Sequence, residues 1–440
     1  MDLDGVRLDE LASAHGIVGA AIGVSRRGHR TVMVHGTTDL GTGASVRPDT
    51  AFLAGSVTKA MTASAVALLV AEGRVGLDEP IRRRVPEFEV ADRAATEAIT
   101  VRHLLTHTSG FDGDIWIDVG EGDDAIERFV GGLGGLAQLS TPGSRFSYNN
   151  AGYAVLGRLL ERVERATFEE VLQHRVALPS GARFTTDPTH PRHASSAVGH
   201  LRSGDGSNAA VTTVIGPACL APAGARTWAD VDDLLGFGEW HLGHCGDPHH
   251  RAALRAMRAP QIVVADPNNA ATMGLGIFVD DDRWGTPVVF HDGGVNGQSA
   301  YLRILPEDDA VLVVVSTGGV PQTFHRHAFR AMAAAALGRT APLGAVADPG
   351  VVLDADRYVG TYAASVTEVE IDHDAGGLGC TITYAPGTDH AVRTDRLALS
   401  AVDHRVMLAP LDGRDYVVVF PPLDEPCDHL LAALRMLVRR

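Results

Sequence analysis

Apolar positions near the start of the chain alternate with polar ones and then take up a helical spacing. Residues 17–25 and 29–37 are two apolar runs around the turn Arg26-Arg27-Gly28, which predicts a β-hairpin. Nearly all residues from 56 to 71 are apolar or small, so a helix over this range would have no polar face. The pattern predicts a well-buried helix that ends at Glu72-Gly73.

The middle of the chain is mostly helical in pattern, and strands return after it. Helices are predicted over 101–107, 124–137, 150–165 and 227–242, the last beginning with the capping-box spacing Thr227-x-x-Asp230. Strands are predicted at 274–280, 287–291, 299–304 and 310–316, followed by a helix at 324–337. Strands at both ends of a region with helices between them predict an α+β fold, in which an antiparallel sheet carries a helical insertion.

A second domain is predicted at the C-terminus. The Gly/Pro/Ala-rich stretch 338–350 is typical of a linker, so we expect one domain over 1–340 and another over 341–440. Short alternating runs at 358–362, 368–371, 380–384, 397–402, 406–410 and 416–420 predict a small all-β barrel or sandwich. A terminal helix is predicted over 429–438.

Composition and charge indicate the class of protein and exclude several partners. The chain has 440 residues, and 54 acidic against 38 basic side chains give a net charge of −16, which argues against nucleic acid or an anionic membrane as partner. The four cysteines form no Cys-x-x-Cys pair, so a zinc ribbon is not indicated. The N-terminus lacks a signal-peptide pattern, and the longest apolar run is shorter than the ~20 residues of a membrane span. We therefore expect a soluble, cytoplasmic protein.

Lysine usage singles out one position. The chain contains a single lysine, Lys59, and uses arginine at every other position counted as Lys or Arg. One explanation is a GC-rich coding sequence; the other is that position 59 needs a cation that can lose its proton, which arginine cannot do. The count also excludes a P-loop, which needs Gly-Lys-Ser/Thr, and confines any pyridoxal-phosphate Schiff base to Lys59.

The predicted buried helix opens with Ser56-Val57-Thr58-Lys59. A spacing of three is about one helical turn, so the hydroxyl and the amine lie on one face within reach of each other. A neighbouring base can activate the weak serine nucleophile, and the free N–H groups at a helix start can bind a developing oxyanion. Alone, the pair is a weak signal.

Two further segments carry candidate chemistry. Tyr148-Asn149-Asn150 precedes a helix; the phenol could serve as general base beside a lysine, and the Asn150 amide could bind a substrate carbonyl, although such a triplet is usually a structural cap. His291-Asp292-Gly293-Gly294 ends a predicted strand, where glycines allow close backbone approach, although a plain turn is the simpler interpretation.

Together, these segments resemble the Ser-x-x-Lys, Tyr-x-Asn and Lys/His-x-Gly boxes of the penicillin-recognising serine hydrolases. The resemblance is to the class C β-lactamase-like branch, with its carboxypeptidases, D-aminopeptidases, esterases and peptide-cyclising thioesterases, and it extends to 103–110 and 149–160. It covers about residues 5–340 and implies a five-stranded antiparallel sheet beside an all-α region, with the site between them. The C-terminal segment is similar to the lipocalin-like barrels appended to several members.

The resemblance implies an acyl-enzyme mechanism with no cofactor and no metal. Ser56 would be the nucleophile, Lys59 and Tyr148 its bases, and the N–H groups of Ser56 and Gly294 the oxyanion hole. The substrate-binding residues would be Asn150, His291 and Gly293. Apart from the resemblance, the acidic segment 112–124 is interpreted as a solvated loop near the cleft, which its Trp116 could line. His291 stands where β-lactamases have the lysine that binds the β-lactam carboxylate, so efficient β-lactam hydrolysis is not expected.

The substrate remains open between alternatives. We expect hydrolysis of a small ester or of a D-residue-containing peptide. The alternative is the offloading and cyclisation of a peptidyl thioester held on a carrier protein. A third hypothesis, a catalytically silent binding module, is opposed by the presence of all the boxes. The absence of Gly-x-Ser-x-Gly and His-Glu-x-x-His excludes the α/β-hydrolase and zincin classes.

Overall fold

The computed structural model describes residues 3–191, 195–203, 205–212, 215–244, 247–266, 270–280, 283–385, 393–411 and 414–440. The helices are α1 (Leu8–Ala14), α2 (Val57–Ala71), α3 (Arg93–Ala98), α4 (Val101–Leu105), α5 (Ala125–Gly131), α6 (Asn150–Glu164), α7 (Phe168–Leu172), α8 (Leu178–Ser180), α9 (Val231–Leu242), α10 (Pro248–Met257), α11 (Pro321–Leu337) and α12 (Ala355–Tyr358). The strands before the predicted linker are β1 (Gly19–Arg26), β2 (His29–Gly36), β3 (Phe52–Leu53), β4 (His200–Arg202), β5 (Asn208–Ala210), β6 (Trp228–Ala229), β7 (Ile262–Asp266), β8 (Ala270–Met273), β9 (Phe278–Asp280), β10 (Val288–Val295), β11 (Gln298–Leu305) and β12 (Ala310–Thr317).

The main sheet is antiparallel and joins the two ends of the first region, as predicted. Its order is β2-β1-β12-β11-β10-β9-β8-β7, and β1 pairs with β12 through partners such as Val24 and Leu312. The β1–β2 turn places Arg27 and Gly28 at positive φ, the geometry of a tight hairpin turn that matches strand twist. The expected five strands are present, and β9, β8 and β7 extend the sheet beyond them.

The predicted helix over 56–71 is confirmed as α2, which is buried along nearly its whole length. Its many alanines let neighbouring elements approach closely, and it contacts α6, α10 and the sheet strands β10 and β11. This burial fixes the start of α2, which carries Ser56, between the sheet and the helical region.

Two predicted helices have different boundaries from those the pattern indicated. Residues 124–137 form only α5 and a short 3₁₀ turn, because glycines at 131 and 132 interrupt the helix. The helix predicted from Thr227 begins at Val231 instead, capped by Asp230. Residues 228–229 form β6, which pairs with β3 just before Ser56.

The C-terminal region is a nearly closed nine-stranded barrel, which confirms the all-β prediction. Its strands are β13 (Gly360–Ala363), β14 (Thr367–Asp374), β15 (Gly377–Tyr384), β16 (Leu397–Ala398), β17 (Ser400–Ala401), β18 (Val406–Leu411), β19 (Arg414–Val419), β20 (His429–Ala432) and β21 (Arg435–Arg439). The sheet order runs from β16 through β15, β14, β13, β21, β20, β19 and β18 to β17, and only Leu399 separates the two end strands along the chain.

The predicted terminal helix over 429–438 is wrong. The segment forms the hairpin β20–β21, with Ala433 and Leu434 at positive φ in its turn. Leucine, alanine and methionine favour helix locally, but β20 pairs with β19 and β21 with β13, so closure of the barrel overrides that preference. No helix among the described residues has the length and apolar character needed to cross a membrane.

We expect residues 1–340 to fold as a separate chain, because the barrel has its own apolar cluster around side chains such as Tyr362 and Phe420. The domain boundary at 340/341 stays a prediction. A cooperative thermal melt of the truncated chain would support it, and an insoluble chain or a non-cooperative melt would contradict it. Because the barrel also contacts the candidate site, where the Leu434 carbonyl accepts from Tyr148 N–H, we expect slower acylation by the truncated chain.

Candidate active site

Ser56 is presented at the start of α2 by a short strand and a glycine. The pairing of β3 with β6 continues into a hydrogen bond from Ala54 N–H to the Thr227 carbonyl at 2.7 Å. Gly55 follows with φ +51°, a conformation that L side chains rarely adopt, and turns the chain into the helix. Ser56 is thereby the N-cap residue, immediately before the first residue of α2.

Lys59 lies one turn along α2 and reaches back to the serine. Its Nζ donates to Ser56 Oγ at 3.0 Å and to the Ala223 carbonyl at 2.6 Å, and the side chain is fully buried. Burial lowers the pKa of Lys59 well below its usual value, and the nearby Arg435 guanidinium lowers it further. A neutral amine at hydrogen-bond distance from a hydroxyl is a competent proton acceptor.

Tyr148 joins Ser56 and Lys59 in the candidate site from the segment before α6. Lys59 Nζ lies 4.9 Å from the centre of its ring, and the phenol hydrogen-bonds Ser56. Burial raises the pKa of Tyr148, so a phenolate is disfavoured. Transfer of one proton from the Tyr148 phenol to the Lys59 amine would convert this uncharged pair into an ammonium and a phenolate. The lowered pKa of Lys59 and the raised pKa of Tyr148 both favour the uncharged pair. Lys59 is therefore the better candidate for the base.

His291 does not end its strand, as the sequence had suggested, but lies within β10. Its Nδ1–H donates to the Asp292 carbonyl at 2.9 Å, so Nε2 is an acceptor; this atom is buried and has no partner among the described residues. Burial lowers the pKa of His291 to about 4. Its ring centre lies 6.4 Å from that of Tyr148. At neutral pH this position carries no positive charge.

The glycines after His291 bring β10 against the backbone at Ser56. A Cβ atom on Gly293 would lie 2.8 Å from Ser56 N, and one on Gly55 would lie 2.7 Å from Gly294 N. Only residues without side chains allow this approach. The Ser56 and Gly294 amides are consequently close neighbours, as an oxyanion hole requires.

Asn150 is the first residue of α6, and its amide nitrogen donates to Asp114 Oδ1 at 2.6 Å. Asp114 also binds Arg435 of the barrel, with 2.9 Å between Arg435 Nε and Asp114 Oδ2. The Arg435 guanidinium lies 4.9 Å from the centre of the Tyr148 ring. The barrel therefore contributes a cation to the site.

Sequence reasoning missed Asp114 and Arg435. In the sequence, Asp114 is one of several acidic residues in a segment that predicts a loop. Arg435 belongs to the segment for which a helix was predicted. Their role depends on contacts between residues 321 positions apart, which no local pattern encodes.

The structure brings most of the predicted site residues together. Ser56, Lys59, Tyr148, Gly293 and Gly294 lie around the start of α2, with His291 and Asn150 beside them. Trp116 is half exposed on the loop that carries Asp114, and among the described residues it makes no ring contact with the cluster. Its assignment as a cleft-lining residue stays a prediction.

Comparison with known proteins places this arrangement in a family. The family model described as Beta-lactamase matches residues 7–337. Penicillin-binding protein 4 of Amycolatopsis lactamdurans is 32% identical over 332 residues, which cover 74% of this chain and 87% of that protein.

Solved structures extend the similarity to the barrel. The crystal structure of SurE superposes with a TM-score of 0.76 at 26% identity and covers 98% of this chain and 97% of its own. The octameric penicillin-binding protein homologue from Pyrococcus abyssi shares the fold, with a TM-score of 0.61 at 20% identity and 98% of both chains covered. The resemblance inferred from the motifs is thereby confirmed.

Proposed function

The chain belongs to the β-lactamase family of serine hydrolases, and on this premise we propose that it transfers acyl groups through a covalent intermediate on Ser56. The observation that carries the proposal is the 3.0 Å contact between Ser56 Oγ and the buried Lys59 amine, with Tyr148 against both. The substrate class is an ester or a D-residue-containing peptide or amide.

The proposed acylation of Ser56 proceeds by the following transfers of protons and electron pairs. The Ser56 hydroxyl gives its proton to Lys59 Nζ, and Oγ bonds to the substrate carbonyl carbon. The carbonyl oxygen takes the electron pair as an oxyanion, which the N–H groups of Ser56 and Gly294 bind. When the intermediate collapses, the leaving group departs with a proton passed from Lys59 through the Tyr148 phenol, and the acyl-enzyme remains.

Deacylation reverses these roles. The acceptor, water in a hydrolase, gives its proton through Tyr148 to Lys59 and attacks the acyl carbonyl carbon. The second oxyanion occupies the same pair of amides, and Ser56 Oγ leaves with the proton from Lys59. Asn150, whose amide Asp114 holds in place, would bind the carbonyl next to the scissile bond.

One comparison supports substrates with a D-residue: SurE, which matches nearly the whole chain, has also been solved with D-Leu. The test is a matched pair of p-nitroanilides or esters that differ only in the configuration of the acyl residue. Faster turnover of the D-isomer would support the proposal, and a preference for the L-isomer would contradict it.

We predict slow nitrocefin hydrolysis alongside measurable cleavage of a simple p-nitrophenyl ester. His291 occupies the position of the carboxylate-binding lysine, and its pKa of about 4 leaves it uncharged at pH 7. Steady-state kinetics of both substrates on one enzyme sample provide the measurement. A β-lactam kcat/KM near the diffusional ceiling of ~10⁸ M⁻¹s⁻¹ would contradict this prediction.

A second candidate function is acyl transfer to an amine, as in release of a carrier-bound peptidyl thioester by cyclisation. The observation that favours it is the barrel hairpin at the site, where the Leu434 carbonyl accepts from Tyr148 N–H at 2.8 Å. A site walled by a second domain admits less water, which favours a bound acceptor over hydrolysis. The ratio of cyclic to linear product from a peptidyl thioester analogue distinguishes the two functions.

A further inference from the structure

The segment that carries Tyr148 is held through consecutive backbone amides. Ser147 N–H donates to the His107 carbonyl at 2.8 Å, Tyr148 N–H to the Leu434 carbonyl at 2.8 Å, and Asn149 N–H to the His107 ring Nδ1 at 3.0 Å. Two of these acceptors belong to His107, one from its backbone and one from its side chain. His107 therefore accepts hydrogen bonds from the residues immediately before and after Tyr148.

The His107 ring also packs directly on the phenol. The two ring centres are 4.3 Å apart with 27° between their planes, and the Tyr153 ring lies 5.0 Å away from the imidazole. Stacking at this distance restricts rotation of the Tyr148 ring. The same side chain thus fixes both the backbone and the ring plane of Tyr148.

His107 adopts a conformation that local preferences do not favour. Its φ is +56°, a region that non-glycine residues rarely occupy, and the residue is fully buried. Such a conformation persists only where surrounding contacts impose it, and these outliers cluster at functional sites.

Hydrogen bonding fixes the proton on the imidazole. Because Nδ1 accepts from Asn149 N–H, the proton of the neutral ring is on Nε2, which is buried without a partner among the described residues. Burial lowers the pKa of His107 well below its usual value, and the Arg435 guanidinium lowers it further. The imidazole consequently adds no charge beside the Lys59 amine.

We infer that His107 is a positioning residue for Tyr148, which holds the phenol in line for proton transfer between Lys59 and the leaving group. It does not touch the reacting atoms and acts only through Tyr148. The inference rests on the proposed function, since it concerns a step of the same acyl transfer.

Two substitutions separate positioning from simple core packing. Asparagine at position 107 keeps an acceptor near the place of Nδ1 and tolerates a left-handed backbone, but it loses the ring. Phenylalanine keeps a ring of similar size, but it leaves the buried Asn149 N–H without a partner. We expect kcat for a p-nitrophenyl ester to fall ~10²-fold in His107→Phe with little change in KM, and to stay within ~10-fold of the native value in His107→Asn.

The expected order of rates differs from the order that packing alone would give. If His107 served only to pack the core, His107→Phe should disturb the protein less than His107→Asn. The variant with the higher melting temperature would then also be the more active one. The inference is overturned if both variants turn over within about threefold of the native rate, or if His107→Phe is the more active one.

A double-mutant cycle with Tyr148→Phe provides the second test and covers the case in which His107→Phe does not fold. Because His107 acts through the phenol, His107→Ala should lower the acylation rate in the native protein but add no further loss in the Tyr148→Phe background. Additive losses would refute the inference. If the native protein itself forms no acyl-enzyme, the proposed function fails; if it does and the His107 variants acylate normally, only this inference fails.

Discussion

Ser56→Ala is expected to abolish turnover of a p-nitrophenyl ester and to remove labelling by a fluorophosphonate. Ser56 Oγ is the hydroxyl that the buried Lys59 amine contacts at 3.0 Å, and the amides of the proposed oxyanion hole belong to Ser56 and the neighbouring Gly294. Loss of the nucleophile in a serine hydrolase lowers kcat by about 10⁶-fold. The measurement is initial rate together with in-gel fluorescence of the labelled chain.

A matched control is available on the surface. Ser203→Ala removes an exposed serine and should label and turn over as the native chain does. Undiminished labelling of Ser56→Ala would show that another serine is the nucleophile.

Lys59→Arg is expected to keep the fold and to lower acylation at least ~10²-fold. Arginine is the cation the chain uses everywhere else, but a guanidinium does not release its proton in this range and cannot act as a base. Some rate should remain, because a cation at position 59 still stabilises charge near Tyr148. Acyl-adduct formation and melting temperature are compared for the two proteins.

The pH profile provides an independent readout for the same variant. Acylation requires the neutral amine, so the native rate should rise with pH by about tenfold per unit until pH reaches the lowered pKa of Lys59, and then level off. The acylation rate of Lys59→Arg should not show this rise with pH. Lys59→Met, which is similar in length and uncharged, serves where a buried arginine prevents folding and should show the same loss.

An unchanged acylation rate in Lys59→Arg would contradict the mechanism. Lys59 would then be a structural cation, and the proposed base would have to be sought elsewhere in the site.

The contact between Ser56 and Lys59 was predictable because it is local. A spacing of three on a helix places Ser56 and Lys59 on one face whatever surrounds them, and the apolar run over 56–71 already indicated that the helix is buried. The hairpin and the antiparallel sheet followed from alternation in the same way. The roles of the individual side chains stay predictions that the experiments above test.

The features that were missed depend on contacts distant in sequence. The segment from His429 to Arg439 has helical preferences, yet pairing with β19 and β13 makes it a hairpin and sends Arg435 to Tyr148. Asp114 and His107 likewise owe their proposed roles to the residues that they contact, which are Asn150 and Tyr148 respectively. The uncharged state of His291 follows from its complete burial in β10, which the predicted turn did not suggest.

Intact-mass analysis with peptide mapping tests the central claim most directly. The native chain would be mixed in turn with a p-nitrophenyl ester, a D-residue peptide ester, a peptidyl thioester and a β-lactam, quenched in acid and weighed. We predict an increase equal to the acyl group, mapped to the peptide that contains Ser56, for at least one of the first three substrates, and no such increase in Ser56→Ala. Turnover without any adduct on rapid quenching, or an adduct mapped to another residue, would contradict the account.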